Sequence, residues 1–204
     1  MGEVKKFELT SDFIINTVGK KLFRIKSLIS FSNVKAGEIG GYIEKEANLS
    51  QSGNAWVSGD AEVYGNARVF GNARVYGNAG VYGNARVYGN ARVYGDTWVY
   101  GDTWVFGNAW VSGNAEVYGN AEVSGNARVS GNADYATIKG FGTEFRCTTF
   151  FRCKDGCVRV DCGCFYGTIA EFREQVNKTR EGKIAKEYLM IADLMEMHFE
   201  KEEK

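Results

Sequence analysis

The chain has 204 residues, with 25 Lys+Arg against 25 Asp+Glu, and so carries no net charge. That balance removes any bulk electrostatic case for general nucleic-acid binding or for an anionic membrane surface. Proline is absent while glycine numbers 26, and no apolar run reaches the ~18 residues of a membrane span.

The N-terminus, MGEVKKFELTSDF, has no long apolar core of the secretory kind. Gly2 is followed at the sixth position by Lys6, where a myristoylation start carries Ser or Thr. The expected compartment is therefore the cytoplasm. Residues 1–36 read as a β cap, with a hairpin turning around Asn16–Lys20. Ile39, Ile43 with Gly41, and Leu49 with Ala47 read as degenerate coils leading into a regular array. Two extra residues between Leu49 and Gly53 predict a bulged corner.

From Gly53 to Ser130 glycine recurs every six residues, giving thirteen hexads with the consensus Gly-Asn-Ala-Arg-Val-Tyr. The Val never varies and suits a buried strand position. Two residues earlier stands Ala, or Thr at 97 and 103, on the same side of the strand. Gly and Asn fill the corners because both tolerate left-handed backbone angles. One hexad cannot bury its own Val; stacked coils bury a continuous column. Self-similarity at a fixed period marks a solenoid.

Beyond the array, Glu144–Cys153 and Cys157–Cys162 read as strands around a Lys154-Asp155-Gly156 turn. Thr168-Ile169-Ala170-Glu171 is a capping box that opens a helix to about Lys178. A second helix is expected from about Lys183 to Phe199, with Ile184, Tyr188, Ile191, Met195 and Phe199 on one face.

The Gly-Asn-Ala-x-Val-x array resembles the hexapeptide repeat of left-handed parallel β-helices. That resemblance implies three hexads per triangular coil, hence a little over four coils and a prism roughly 20 Å long. The expected fold is mainly β: a left-handed parallel β-helix over 37–138, an N-terminal β-hairpin cap over 1–36, and an α+β unit with two helices over 139–204. The left hand rests on the resemblance alone.

Three hexads per coil place every third unit on one face. One face then stacks Tyr64, Tyr82, Tyr100 and Tyr118. A second stacks Phe70, Tyr88 and Phe106, and a third stacks Tyr76 and Tyr94 between serines. The residues before Val form bands: Arg68, Arg74, Arg86 and Arg92 with a gap at Gly80, then Trp98, Trp104 and Trp110. Aromatic ladders stabilise a sheet by themselves, at ~0.2–1 kcal/mol per pair. Contiguous aromatic surface also marks interfaces, where Tyr, Trp and Arg are enriched. The ladders and the tryptophan belt are the expected interaction surface. An alternative gives Arg68, Arg74, Arg86 and Arg92, with Tyr76 and Tyr94, to a nucleotide ligand.

Acyltransferases and gamma-class carbonic anhydrases share this repeat, and they use histidine as base or as zinc ligand. This chain has one histidine, His198, in the C-terminal helix. The expectation is a protein that is not an enzyme and needs no cofactor. Cys153-x3-Cys157 and Cys162-x-Cys164 offer four thiolates for zinc at an unusual spacing; packing is the favoured reading of the cysteines.

The whole chain is similar to small hexapeptide-repeat proteins of bacteriophages and prophages. The residues that carry this are Leu22-x-Arg24-Ile25, Val34-Lys-x-Gly37-x-Ile39-Gly-Gly-Tyr42-Ile43-Glu44, Asn48-Leu49-Ser50, Cys162-Gly-Cys164-Phe165-x-Gly167-Thr168 and Ala185-Lys186-Glu187-Tyr188. It implies a phage protein acting in a bacterial host cell; the leading expectation is binding of a host protein, a host-defence or takeover factor, through the aromatic faces of the solenoid or through the C-terminal unit. Side-by-side homo-oligomers, trimers ahead of dimers, are common in proteins of this kind. Sequestration of a cyclic nucleotide at subunit interfaces is the alternative; acyl transfer is a distant third.

Overall fold

The computed structural model describes residues 4–200. Gly2, and the outer ends of the terminal units, lie outside them. A hairpin opens the chain: β1 (Phe7–Ile15) and β2 (Lys21–Ser27) pair antiparallel. The turn is held by Asn16, whose side-chain oxygen accepts from the N–H groups of Val18 and Lys20. β2 pairs antiparallel with β3 (Ile39–Ile43), and β3 pairs parallel with Glu62–Val63. The cap is thus a continuation of one solenoid sheet.

The solenoid has short rungs that pair parallel with a register of eighteen residues, such as Arg74 with Arg92 and Val75 with Val93. The first sheet contains β3, Glu62–Val63, Gly80–Val81, Trp98–Val99 and Glu116–Val117. The second contains Arg68–Val69, Arg86–Val87, Trp104–Val105 and Glu122–Val123, with Leu49 bridged to Val69. The third contains Trp56–Val57, Arg74–Gly77, Arg92–Gly95, Trp110–Val111 and Arg128–Val129. The degenerate N-terminal coil completes about five turns, against the four expected from the hexads alone. The Val of every rung is buried, as are the Ala or Thr two residues before it.

The corner glycine meets two demands at once. Gly89 has φ +70°, and a Cβ there would stand 3.0 Å from the backbone nitrogen of Gly107 on the next coil. Beside it Asn72, Asn90 and Asn108 form an amide ladder, each Nδ2 donating to the next Oδ1 at 3.0 and 3.1 Å.

The degenerate coil departs from its expected pattern. Ile43 and Leu49 are buried, but Ile39 is 52% exposed. It opposes Lys26 at the start of β3, ahead of the inward-facing run. Ala47 is exposed and Asn48 points inward instead, because Glu46–Asn48 form a 3-10 turn. Asn48 donates to the carbonyls of Gly65 and Ala67, supplying main-chain partners that a strand would have supplied. The bulged corner carries Gln51. Its amide accepts from Lys6 N and Phe7 N and donates to Phe7 O, clamping β1 to the first coil.

After the last rung the chain forms an antiparallel meander: β4 (Tyr135–Ile138), β5 (Thr148–Arg152), β6 (Val158–Cys162) and β7 (Phe165–Thr168). α1 (Ile169–Thr179) and α2 (Gly182–Phe199) follow. Tyr135–Ile138 is the first strand of this sheet, paired with β5. The strand expected from Glu144 starts at Thr148, and β7 was not expected. Alternation along β5 explains the layering: Phe151 joins the solenoid core, and Phe150 packs with Val160, Phe172, Val176, Ile191 and Met195 under the helices. The Thr168 capping box forms as its spacing predicts, with Glu171 N donating to Thr168 Oγ1 at 3.1 Å. Among the described residues no helix is long and apolar enough to cross a membrane.

Candidate functional site

Outward-facing columns follow directly from the register. Tyr64, Tyr82, Tyr100 and Tyr118 stack with ring centroids 4.9, 4.9 and 5.2 Å apart. Phe70, Tyr88 and Phe106 stack at 4.8 and 5.0 Å, and Tyr76 and Tyr94 at 4.9 Å. The spacing of the rungs sets these distances. Tyr118, at the end of its column, is 50% exposed. Tyr64, expected on the interaction surface, is only 8% exposed, because Leu22 of the hairpin and Tyr42 of β3 cover it. Burial pushes its hydroxyl up to about 12.

The tryptophan belt lies on one coil with one ring per sheet. Each indole meets the preceding tyrosine of its own face edge-on: Tyr82–Trp98 at 5.9 Å, Tyr88–Trp104 at 6.3 Å and Tyr94–Trp110 at 6.4 Å. Their other neighbours differ. Arg86 lies over Trp104 at 5.1 Å, and Trp110 sits between Arg92 at 4.9 Å and Arg128 at 4.2 Å. Trp98 has Gly80 instead, and its ring occupies the space a side chain at Gly80 would need. Trp104 is the most open, at 36%.

The four arginines assigned to one ligand divide between two faces. Arg68 and Arg86 stand in register on the second sheet, Arg74 and Arg92 on the third. Arg68 borders a groove with Lys45, Glu46 and Phe70; Arg86 borders one with Asp102, Trp104 and Glu122. Arg74, Arg92 and Tyr76 share a groove of about 770 Å³ with Asn54, Asn72 and Asn90. Tyr94 stacks on Tyr76 without lining it. Reading the sequence along the chain merged what the three-unit period separates.

The column before each Val also sorts by charge. On the first sheet it reads Tyr42, Glu62, Gly80, Trp98, Glu116, and on the third Trp56, Arg74, Arg92, Trp110, Arg128. The first of these columns thus carries acidic side chains and the third basic ones. Beneath the basic face Lys6 is buried, donating to Ala55 O at 2.9 Å with its ammonium 5.1 Å from the Phe31 ring. Burial, reinforced by Arg74, lowers its pKa to about 8.

The two cysteine pairs do not meet. Cys153 and Cys157 flank the β5–β6 turn, and Cys162 and Cys164 lie at the far end of β6, roughly 15 Å away at strand spacing. The hairpin separates these pairs by its own length, so the four thiolates do not converge. Cys153 joins the solenoid core and Cys162 accepts from Thr148 Oγ1 at 3.0 Å. Among the described residues no group of three or more His, Cys, Asp or Glu is placed to hold a metal. His198 is exposed in the last turn of α2, edge-on to Phe199.

Residues 61–77 and 85–101 each match the family model described as the YdcK beta solenoid repeat. Each match is close to one coil in length, and together with the parallel rungs they show a repeat β-solenoid. No curated protein matches the chain.

Proposed function

We propose that this chain is a non-enzymatic interaction protein of phage origin that self-associates side by side and binds a host protein in the bacterial cytoplasm. The observation that carries the reading is the contrast between ends and sides. Both ends of the solenoid are closed, by β1–β3 and by β4–β7. The flanks carry half-exposed columns from Tyr82, Tyr100 and Tyr118, from Phe70, Tyr88 and Phe106, and from Trp98, Trp104 and Trp110. Contiguous aromatic surface of this kind fits the anatomy of an interface core.

A trimer is the expected assembly, with a left-handed winding of the hexapeptide type belonging to the same reading. Light scattering coupled to size exclusion tests association, with a host-lysate pull-down identifying what else is held. A monomer at high concentration that captures nothing beyond background counts against both halves. Trp104→Ala and Tyr118→Ala are expected to weaken association or capture while leaving the melting transition nearly unchanged.

A further inference from the structure

The groove on the basic face is built for an anion. Its lining is Ser32, Asn33, Asn54, Ser58, Asn72, Arg74, Tyr76, Asn90 and Arg92, with no carboxylate among them. The grooves that hold Arg68 and Arg86 contain Glu46, and Asp102 with Glu122. Arg74 and Arg92 are direct cross-strand partners, an arrangement in which like charges repel. Among the described residues neither makes an ion pair within 4.0 Å; those that form involve Arg24, Arg152, Arg159, Arg173 and lysines elsewhere. Glu38 acts on Arg74 only through its longer-range field.

The two guanidinium groups are positioned rather than free. Arg74 donates to Asn33 Oδ1 on the overhanging 31–34 loop. Arg92 rests on the Trp110 ring at 4.9 Å. Their rungs are spaced like the Tyr76–Tyr94 rings, 4.9 Å apart. A carboxylate is satisfied by one arginine fork, whereas a tetrahedral oxyanion offers edges to two. Alongside runs the Asn54–Asn72–Asn90 ladder, each linking bond 3.0 Å long. Each amide spends one N–H on the ladder and keeps a second for a ligand.

We propose that this groove binds a small phosphate ester, its phosphate held between Arg74 and Arg92 and its polar body along the asparagine ladder. This site belongs to one chain and stands whether or not the chain associates through its aromatic columns.

Isothermal titration of the full chain with ribose 5-phosphate, adenosine 5′-monophosphate, inorganic phosphate, succinate, an RNA oligonucleotide and a phosphopeptide tests it. The esters are expected to bind more tightly than free phosphate, and succinate not at all. Arg92→Gln, at an exposed position, is expected to weaken ester binding about tenfold or more, the worth of a charged hydrogen bond. Arg74→Gln should do the same, and Arg86→Gln on the other face should leave affinity within about twofold. Thermal melts of each variant verify folding. Equal losses in Arg92→Gln and Arg86→Gln would overturn the proposal. So would free phosphate binding as tightly as the esters, or binding confined to an RNA oligonucleotide or a phosphopeptide.

Discussion

At the N-terminal end of the solenoid, β3 runs on into β2 and β1, so open backbone groups meet other backbone. At the C-terminal end single side chains take that part: Thr149 Oγ1 accepts from Glu122 N at 3.1 Å, Asn132 Oδ1 from Glu116 N at 2.8 Å, and the Tyr135 hydroxyl donates to Glu116 O at 2.6 Å. Among the described residues only Ala127 with Cys153 forms an isolated β bridge there. A solenoid end must be closed because unpaired edges recruit other strands. The first solution spreads the work on one sheet over a ladder of equivalent bonds, and leaves the neighbouring edge to Asn48 and Gln51. The second concentrates it in a few residues, each of which leaves a bare donor or acceptor when removed.

Four measurements break or sharpen this comparison. Phe151 bridges the last coil and the meander from a fully buried position. Phe151→Ala is expected to cost about 3–5 kcal/mol and to unseat the C-terminal closure. Urea unfolding gives the loss, and hydrogen exchange should place it in residues 116–170, with β1 and β2 unchanged. Gln51→Ala removes three bonds at once from the opposite end, for about 2 kcal/mol. Its exchange signature should fall on Phe7 and its neighbours; a uniform loss of protection would mean the two ends do not open independently. Tyr135→Phe strands the Glu116 carbonyl and should cost about 1 kcal/mol by the same unfolding assay.

The fourth effect is one of pH. The folded chain releases the Lys6 proton near pH 8, against 10.5 for an unperturbed lysine. Between those values the unfolded state holds more protons, so stability rises with pH through this window. Below pH 8 both states are charged and the cost of burying the ammonium is fully present. Tyr64 and Tyr135, held up to about 12 by burial, act in the opposite direction above pH 10, where the unfolded chain ionises first. Urea midpoints should therefore climb from pH 8 and turn over above pH 10. Lys6→Met should flatten the climb.

The difference between the ends also explains what was legible in the sequence. Period six, with Val two residues after Ala, specifies the rungs, and eighteen-residue faces follow from it; the ring stacks are where counting by threes puts them. The hairpin was legible because backbone closure leaves a β pattern around a turn at Asn16–Lys20. The inward turn of Asn48 and the clamp of Gln51 left no pattern, since each is a single polar residue meeting a distant main chain. Burial of Tyr64 is likewise a matter of which surface the hairpin lands on. The division of the arginines was contained in the period but hidden by reading them as one band. The third groove also takes Ser32 and Asn33 from the 31–34 loop, a contact forty-one residues long in sequence between Asn33 and Arg74.

Gly80 carries a last consequence. Successive hexads are so alike that sliding the chain by one coil would leave every Val on a Val, every Ala on an Ala or Thr, and every corner glycine on another. Such an array is degenerate, and a degenerate array is prone to fold into the wrong pairing and stay there. The Trp98 ring needs an empty position beside it, and on its own column the other partners are Glu62 and Glu116. Gly80 and Trp98 therefore act as a key and its slot, marking one alignment of the coils as the one that closes.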